Sequence, residues 1–226
     1  WVETIRMVLN AYVGKGKLPS DIDYSAIRPY GTPIKGFGGT SGGPEPLMGL
    51  VSNIAKTLTV PEGHDHVWIT SAMIVDVFNH IGACVVAGNV RRSAEIMFGE
   101  PTDREFLKLK DPTGLNRIIE ELDKVRSNLS DPSIDDGLRS KLEGQVSFLE
   151  HSIENHPLRT HRWASNNSVL GYVGMDYSEI SEMVSSNGEP GIIWVDNIQA
   201  YSRMDGKVTN ADTRAIGSNP CGEICL

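Results

Sequence analysis

Apolar side chains recur at every third or fourth position in several stretches of the chain. Val2, Ile5, Val8, Leu9 and Tyr12 predict a helix over 1–13, and Leu47, Leu50, Val51 and Ile54 predict another over 45–58. Residues 65–83 are apolar on nearly every side and predict a buried helix. The longest periodic run lies at 113–155. It carries Leu115, Ile118, Ile119, Leu122, Val125 and Leu129, then a proline break in "SDPS", then Leu138, Leu142, Val146, Leu149 and Ile153. This predicts an antiparallel helical hairpin with charged outer faces, inserted between strands. Ser133 and Asp136 stand at capping-box spacing before its second helix.

Shorter apolar runs fall between these helices. Residues 94–98, 161–173 after a polar start, and 189–197 read as strands, 84–93 as a loop leading into the first of them, 176–186 as a further helix, and 198–217 as a polar loop. Strands that alternate with helices predict parallel pairing in an α/β architecture. Breaks concentrate early: "GKGKLPSD" (14–21) interrupts, "IDYSAIRPYGTPI" (22–34) reads as extended segments with turns, and "KGFGGTSGGPEP" (35–46) holds five glycines in twelve residues.

A chain of 226 residues suits one large domain or a piece of a larger one. It starts at Trp1 on a helix already under way and stops at Leu226 just past a dense motif, so an internal segment of a longer protein is expected. No stretch approaches the roughly 20 apolar residues of a membrane span, and no signal-peptide pattern opens the chain. Three cysteines without a dense framework point to a reducing, cytoplasmic compartment. A net charge of −8 argues against a nucleic-acid-coating protein. Small phosphates stay open, because loops and helix N-termini bind them locally. The six histidines show no metal-ligand spacing, and no metal bound directly by this chain is expected.

The chemistry concentrates in "SNPCGEIC", residues 218–225. In an extended segment the spacing by two would put Asn219, Cys221 and Glu223 on one side, with Pro220 and Gly222 on the other. An amide can donate and accept, a carboxylate can take a proton from a hydroxyl, and a thiol can act as nucleophile or hydrogen-atom donor. The neighbouring negative charge of Glu223 opposes thiolate formation, so one-electron chemistry by a neutral thiol suits the set better than nucleophilic attack. A buried, inert cysteine in a turn is the competing reading.

"SNPCGEI" resembles the active-site finger loop of ribonucleotide reductases. "IRPYGTPIKGFGGTSGGPEPL" (27–47), "CVVAGNVRRSAEI" (84–96), "HRWASNNSV" (161–169) and "NGEPGI" (187–192) are similar to the adenosylcobalamin-dependent class II enzymes, and among these to the ribonucleoside-triphosphate reductases. The resemblance runs over nearly the whole chain, with 113–155 the least covered. It implies about the first half of a ten-stranded α/β barrel, ending at a finger loop threaded through its centre, with 1–226 as a partial catalytic domain and 113–155 as an insertion in it.

By the same resemblance Cys221 becomes a thiyl radical that takes the 3′ hydrogen of the ribose, Glu223 acts as base on the 3′ hydroxyl, and Asn219 holds the substrate. Ser218 and Asn167 are substrate-binding candidates. The radical originates in adenosylcobalamin, held mostly by parts outside this chain. Thioredoxin or a similar dithiol supplies electrons, and the substrate is a ribonucleoside triphosphate. Arg28 and Gly31 fall beside a first specificity loop, and Gly88, Asn89, Arg91 and Arg92 in a second, which together read a deoxynucleotide effector. Without the resemblance, the glycine-rich stretch reads equally as a connector and the two arginines as a solvated pair.

The family's redox cysteine pair lies outside these residues, so Cys84 and Cys225 are expected to be structural and the segment alone inactive. A half barrel leaves sheet edges exposed. Two other readings stay open: a non-catalytic nucleotide-binding relic, and a diiron-dependent class I large subunit.

Overall fold

Three helices come first, α1 (Val2–Tyr12), α2 (Glu45–Leu58) and α3 (Ser71–Val86), as the periodicity requires. The strand β1 (Glu95–Gly99) leads into α4 (Arg104–Leu107), the long pair α5 (Thr113–Leu129) and α6 (Asp136–Glu154), and α7 (Pro157–Thr160). Then follow β2 (Ser165–Gly171), α8 (Ser178–Asn187), β3 (Gly191–Trp194) and α9 (Val195–Tyr201). The computed structural model describes residues 1–36, 38–60, 62–87, 93–201, 208, 210 and 212–226.

The strands form one sheet in the order β1-β2-β3, with both pairs parallel. Parallel neighbours need crossovers, supplied by α4–α7 in the first case and α8 in the second. The arrangement is mixed α/β with a small parallel sheet. Its register sets Glu95 beside Ser165, Ile96 beside Asn166 and Met97 beside Asn167. Because side chains alternate along a strand, Glu95, Met97, Ser165, Asn167 and Val169 share one face, and Ile96, Phe98, Asn166 and Ser168 share the other. The first face is covered by helices: Val169 and Met97 pack with Val75, Phe106, Leu107, Leu109 and Ile180.

The helix α3 serves two cores, which explains its all-round apolarity. Val75 meets the sheet, while Val77 and Cys84 pack with Val8 of α1 and Leu47, Leu50, Ile54 and Leu58 of α2. The pair α5–α6 has a core of its own from Leu122, Val125, Leu142 and Leu149. It stands between β1 and β2 as the periodicity predicts. His161 and Arg162, just past it, both bond Asp76 on α3 and tie the hairpin's exit to the body.

Several boundaries differ from the sequence expectation. The buried helix begins at Ser71 rather than 65, because Thr70 caps it by accepting from the Met73 amide at 3.3 Å, and it runs on past Cys84 to Val86. The cap of α6 is Asp135, whose Oδ1 accepts from the Leu138 amide at 2.8 Å. Ser133 is instead drawn into a turn by Asp131, which accepts from both its amide and its hydroxyl. The third strand stops at Trp194 and passes directly into α9, where a strand end and loop were expected.

Candidate active site

The segment "SNPCGEIC" is not extended. Ser218 and Cys225 form an antiparallel bridge, the Asn219 amide donates to the Ile224 carbonyl at 3.0 Å, and the Leu226 amide donates to the Gly217 carbonyl at 2.9 Å. These close a small hairpin. At its tip the Gly222 amide donates to the Asn219 carbonyl at 2.9 Å, a four-residue turn with Pro220 and Cys221 at the two corners. Proline presets the first corner, and Gly222, at φ +82°, supplies the left-handed exit that other residues adopt reluctantly.

The turn places Cys221 at an exposed corner, with Glu223 exposed beside it. Asn219 Oδ1 accepts from the Ile224 amide at 2.9 Å, which commits the carbonyl end of that side chain to the turn. Ser218 is buried, and its hydroxyl donates to the Asn219 carbonyl at 3.0 Å. Ser218, Asn219, Cys221 and Glu223 therefore share one small element, held by a turn and not by strand alternation.

The hairpin sits against the sheet face opposite the helices. Gly217 lies on the Phe98 ring so closely that a Cβ there would come 2.7 Å from Cε2. Gln199 Nε2 of α9 donates to the Ala215 carbonyl at 2.9 Å. Asn166 Nδ2 of β2 donates to the Pro220 carbonyl at 2.8 Å.

The structure does not bring Asn167 to this hairpin. Its side chain is buried on the helix-covered face, where its Oδ1 accepts from the Ser165 hydroxyl at 2.9 Å, and its backbone N–H donates to Glu189 Oε2 at 3.2 Å. Lys110 completes that cluster, bonding the Ser165 carbonyl at 2.5 Å and Glu189 Oε1 at 3.0 Å. Asn166, its neighbour, is the residue that reaches the hairpin. The pair "NN" shows that one amide faces each way, but not which.

Arg28 and Gly31 lie in a separate turn between α1 and α2. The Ser41 hydroxyl donates to the Arg28 carbonyl at 2.9 Å, and the Gly31 amide, at φ +78°, donates to the Ser41 carbonyl at 2.9 Å. Arg28 lines a cavity of about 610 Å³ with Tyr24, Ile34, Ser41, Gly42 and Val85. Gly88, Asn89, Arg91 and Arg92 lie outside the described residues.

Cys84 is buried between helices, and burial pushes its thiol up to about 11, as an inert structural thiol requires. Cys225 is half-buried in the hairpin arm. Sequence reasoning missed Glu95, whose carboxyl burial raises to about 7. Among the described residues no cluster of three or more His, Cys, Asp or Glu is disposed to hold a metal ion, and no helix is long and apolar enough to cross a membrane.

The chain is 41% identical over all of its length to the adenosylcobalamin-dependent ribonucleoside-triphosphate reductase of Euglena gracilis. It is 38% identical over the same span to a probable enzyme of that name from Dictyostelium discoideum. Over 91% of its length it is 34% identical to the enzyme of that name from Lactobacillus leichmannii. The family model described as the B12-dependent ribonucleotide reductase insertion domain matches residues 1–58.

Along its whole length the chain matches a segment of the adenosylcobalamin-dependent ribonucleotide reductases.

It spans about a quarter of the length of these reductases, 25% of the Euglena protein and 22% of the Lactobacillus one. The insertion-domain match falls on α1, α2 and the Arg28–Ser41 turn between them, not on the 113–155 hairpin. No solved structure matches the chain.

Proposed function

We propose that this segment carries the catalytic finger of an adenosylcobalamin-dependent reductase that converts ribonucleoside triphosphates to 2′-deoxyribonucleotides. The observation that carries the reading is the exposed Cys221 at the tip of a braced hairpin, between the amide of Asn219 and the carboxylate of Glu223.

The Cys221 radical takes the 3′ hydrogen, so that the ribose C–H bond breaks and an S–H bond forms. Glu223, exposed beside it, accepts the proton of the 3′ hydroxyl. Asn219 offers its NH2 end to the substrate, since its oxygen already serves the turn. The 2′ hydroxyl leaves as water. A dithiol pair outside these residues supplies the proton that completes that water, the hydrogen that takes the hydroxyl's place on C2′ and the two electrons, and becomes a disulfide; Glu223 then gives its proton back to the 3′ oxygen and Cys221 returns hydrogen to C3′. Adenosylcobalamin, when bound, supplies the radical chemistry that this thiol requires. An exposed corner thiol fits contact with so bulky a group, and Cys221 is the residue of this chain that would meet it.

The same reading makes the sheet part of a larger ten-stranded barrel, with 113–155 as an insertion, in a cytoplasmic enzyme re-reduced by thioredoxin or a similar dithiol. The cavity beside Arg28 suits a deoxynucleotide effector. A guanidinium there offers bidentate bonds to phosphate.

The test uses the full-length enzyme under anaerobic conditions with a dithiol reductant. Deoxynucleotide formation is followed with and without adenosylcobalamin, in wild type and Cys221→Ser. Cofactor-dependent product that vanishes in the variant is the expected result. Product without the cofactor places the enzyme in another reductase class. No product in any condition, with deoxynucleotide binding intact, assigns it to a regulatory role.

A further inference from the structure

Asn166 makes a hydrogen bond from outside the hairpin to its tip. Its Nδ2 stands 2.8 Å from the carbonyl oxygen of Pro220, the residue immediately before Cys221. Only the NH2 end of an amide can donate to a carbonyl, so the orientation of the Asn166 side chain is forced. The partner is equally specific. Pro220 has no N–H, and its carbonyl belongs to the same rigid peptide plane as the Cys221 amide nitrogen. The proline ring already holds φ of Pro220. Its ψ is restrained within the hairpin by the turn bond from the Gly222 amide to the Asn219 carbonyl, and rotation about it swings Cys221. A bond to the Pro220 carbonyl stops it.

We propose that Asn166 is a positioning residue for Cys221, holding the Pro220–Cys221 peptide plane so that the thiol points at the substrate carbon.

This rests on the catalytic reading of Cys221 and adds a second mounting point to its hairpin. The base of the hairpin is already held, by Gly217 against Phe98 and by Gln199 bonding the Ala215 carbonyl. Two short arms form a weak unit on their own, so a hairpin held only at its base can rock at its tip. Asn166 supplies the missing hold from a strand, since β2 is the middle strand of the sheet and its residue 166 is in register with Ile96 of β1. Asn167 has no access to the same carbonyl, because its side chain is buried on the helix-covered face, where its Oδ1 accepts from the Ser165 hydroxyl.

Reaction geometry is sensitive to such a hold, and a displacement of about 1 Å at the reacting atoms costs on the order of 10²-fold in rate. Asn166→Asp keeps the size of the side chain and removes the donor. In the full-length enzyme with adenosylcobalamin and dithiol, kcat should fall about 10- to 10²-fold with KM for the ribonucleoside triphosphate unchanged. The deuterium isotope effect with 3′-deuterated substrate should grow, because transfer of that hydrogen becomes slower relative to the other steps. Asn166→Gln, which keeps the donor on a longer arm, should recover part of the rate.

A folded Asn166→Asp with wild-type kcat and isotope effect overturns the proposal. So does a fall in kcat with an unchanged isotope effect and a lowered thermal midpoint, which marks a merely structural residue. Cys221→Ser run alongside separates this from the parent reading. Activity in that variant overturns the role of Cys221 itself. An inactive Cys221→Ser beside an unaltered Asn166→Asp overturns only the positioning role.

Discussion

Arg162 grips Asp76 with two parallel hydrogen bonds, Nε to Oδ1 at 2.7 Å and Nη2 to Oδ2 at 2.8 Å. The remaining arm of the guanidinium donates from Nη1 to the Leu109 carbonyl at 2.7 Å. One planar fork thus joins α3, the chain after α4 and the exit of the long hairpin, a task that a lysine, with one charge centre, would not perform.

Burial pushes the Asp76 carboxyl up, but the bonds from Arg162 and His161 outweigh it and hold the group at about 2. A carboxyl held below its ordinary value contributes stability above that value and loses it as pH falls through the lower one. Asp76→Asn should therefore cost about 2–4 kcal/mol at neutral pH, since it leaves a mostly buried guanidinium without its counter-charge. Urea denaturation at pH 7 reads this directly. A midpoint equal to wild type would show that the fork is ornamental.

His80 stacks on His161 with ring centres 3.9 Å apart. Burial, then the facing His161 ring, lowers its pKa to about 4 from an ordinary 6.5, with Asp76 opposing and Lys56 adding a little. Its charging is resisted in the folded state, so stability is present above pH 6.5 and is lost as pH falls through 4. The thermal midpoint should drop across that window in wild type and drop less in His80→Gln. Equal slopes in the two proteins would refute the assignment.

Glu95 works in the opposite direction. Its Oε2 makes no hydrogen bond among the described residues, its other oxygen rests over Gly82 of α3, and burial raises the carboxyl to about 7. Stability from this group is complete below its ordinary value of 4.5 and declines as pH rises through 7. Glu95→Gln should remove that decline. The check is the slope of thermal midpoint against pH between those values, measured in the His80→Gln background so that the two opposed trends do not mask each other.

Gly217 is where the hairpin rests on the sheet. Adding a methyl would set a Cβ 2.7 Å from Phe98 Cε2 and must lift the hairpin or turn the ring. Gly217→Ala in the full-length reductase should reduce kcat about 10- to 10²-fold, by displacing Cys221 from its reacting position. Phe98→Leu, which clears the space, should restore part of the loss in the double variant. Unchanged turnover in Gly217→Ala would mean that the hairpin does not depend on this contact.

The readable parts of this protein were those in which neighbouring residues settle the outcome among themselves. The helix over 45–58 matches to the residue, because Leu47, Leu50 and Ile54 form a continuous stripe between Pro44 and Thr59. The α5–α6 hairpin is similarly self-sufficient, with its own core. The capping assignment near 133 failed because two aspartates competed for it: Asp131 took Ser133 into a turn, and Asp135 was left to cap the helix.

From the sequence alone came the longer helices, the parallel α/β order and the family resemblance, with Asn219, Cys221 and Glu223 as an expected set. These rest on local periodicity and on a run of motifs in fixed order. Tertiary structure alone decided three things: that 218–225 closes into a hairpin, that Asn166 and not Asn167 meets it, and that Arg162 finds Asp76 across 86 residues of chain. The reason is register. A shift of one residue in a strand turns every side chain to the other face. Which of two adjacent asparagines faces the finger was therefore settled by how β2 pairs with β1, and the residue types themselves are identical.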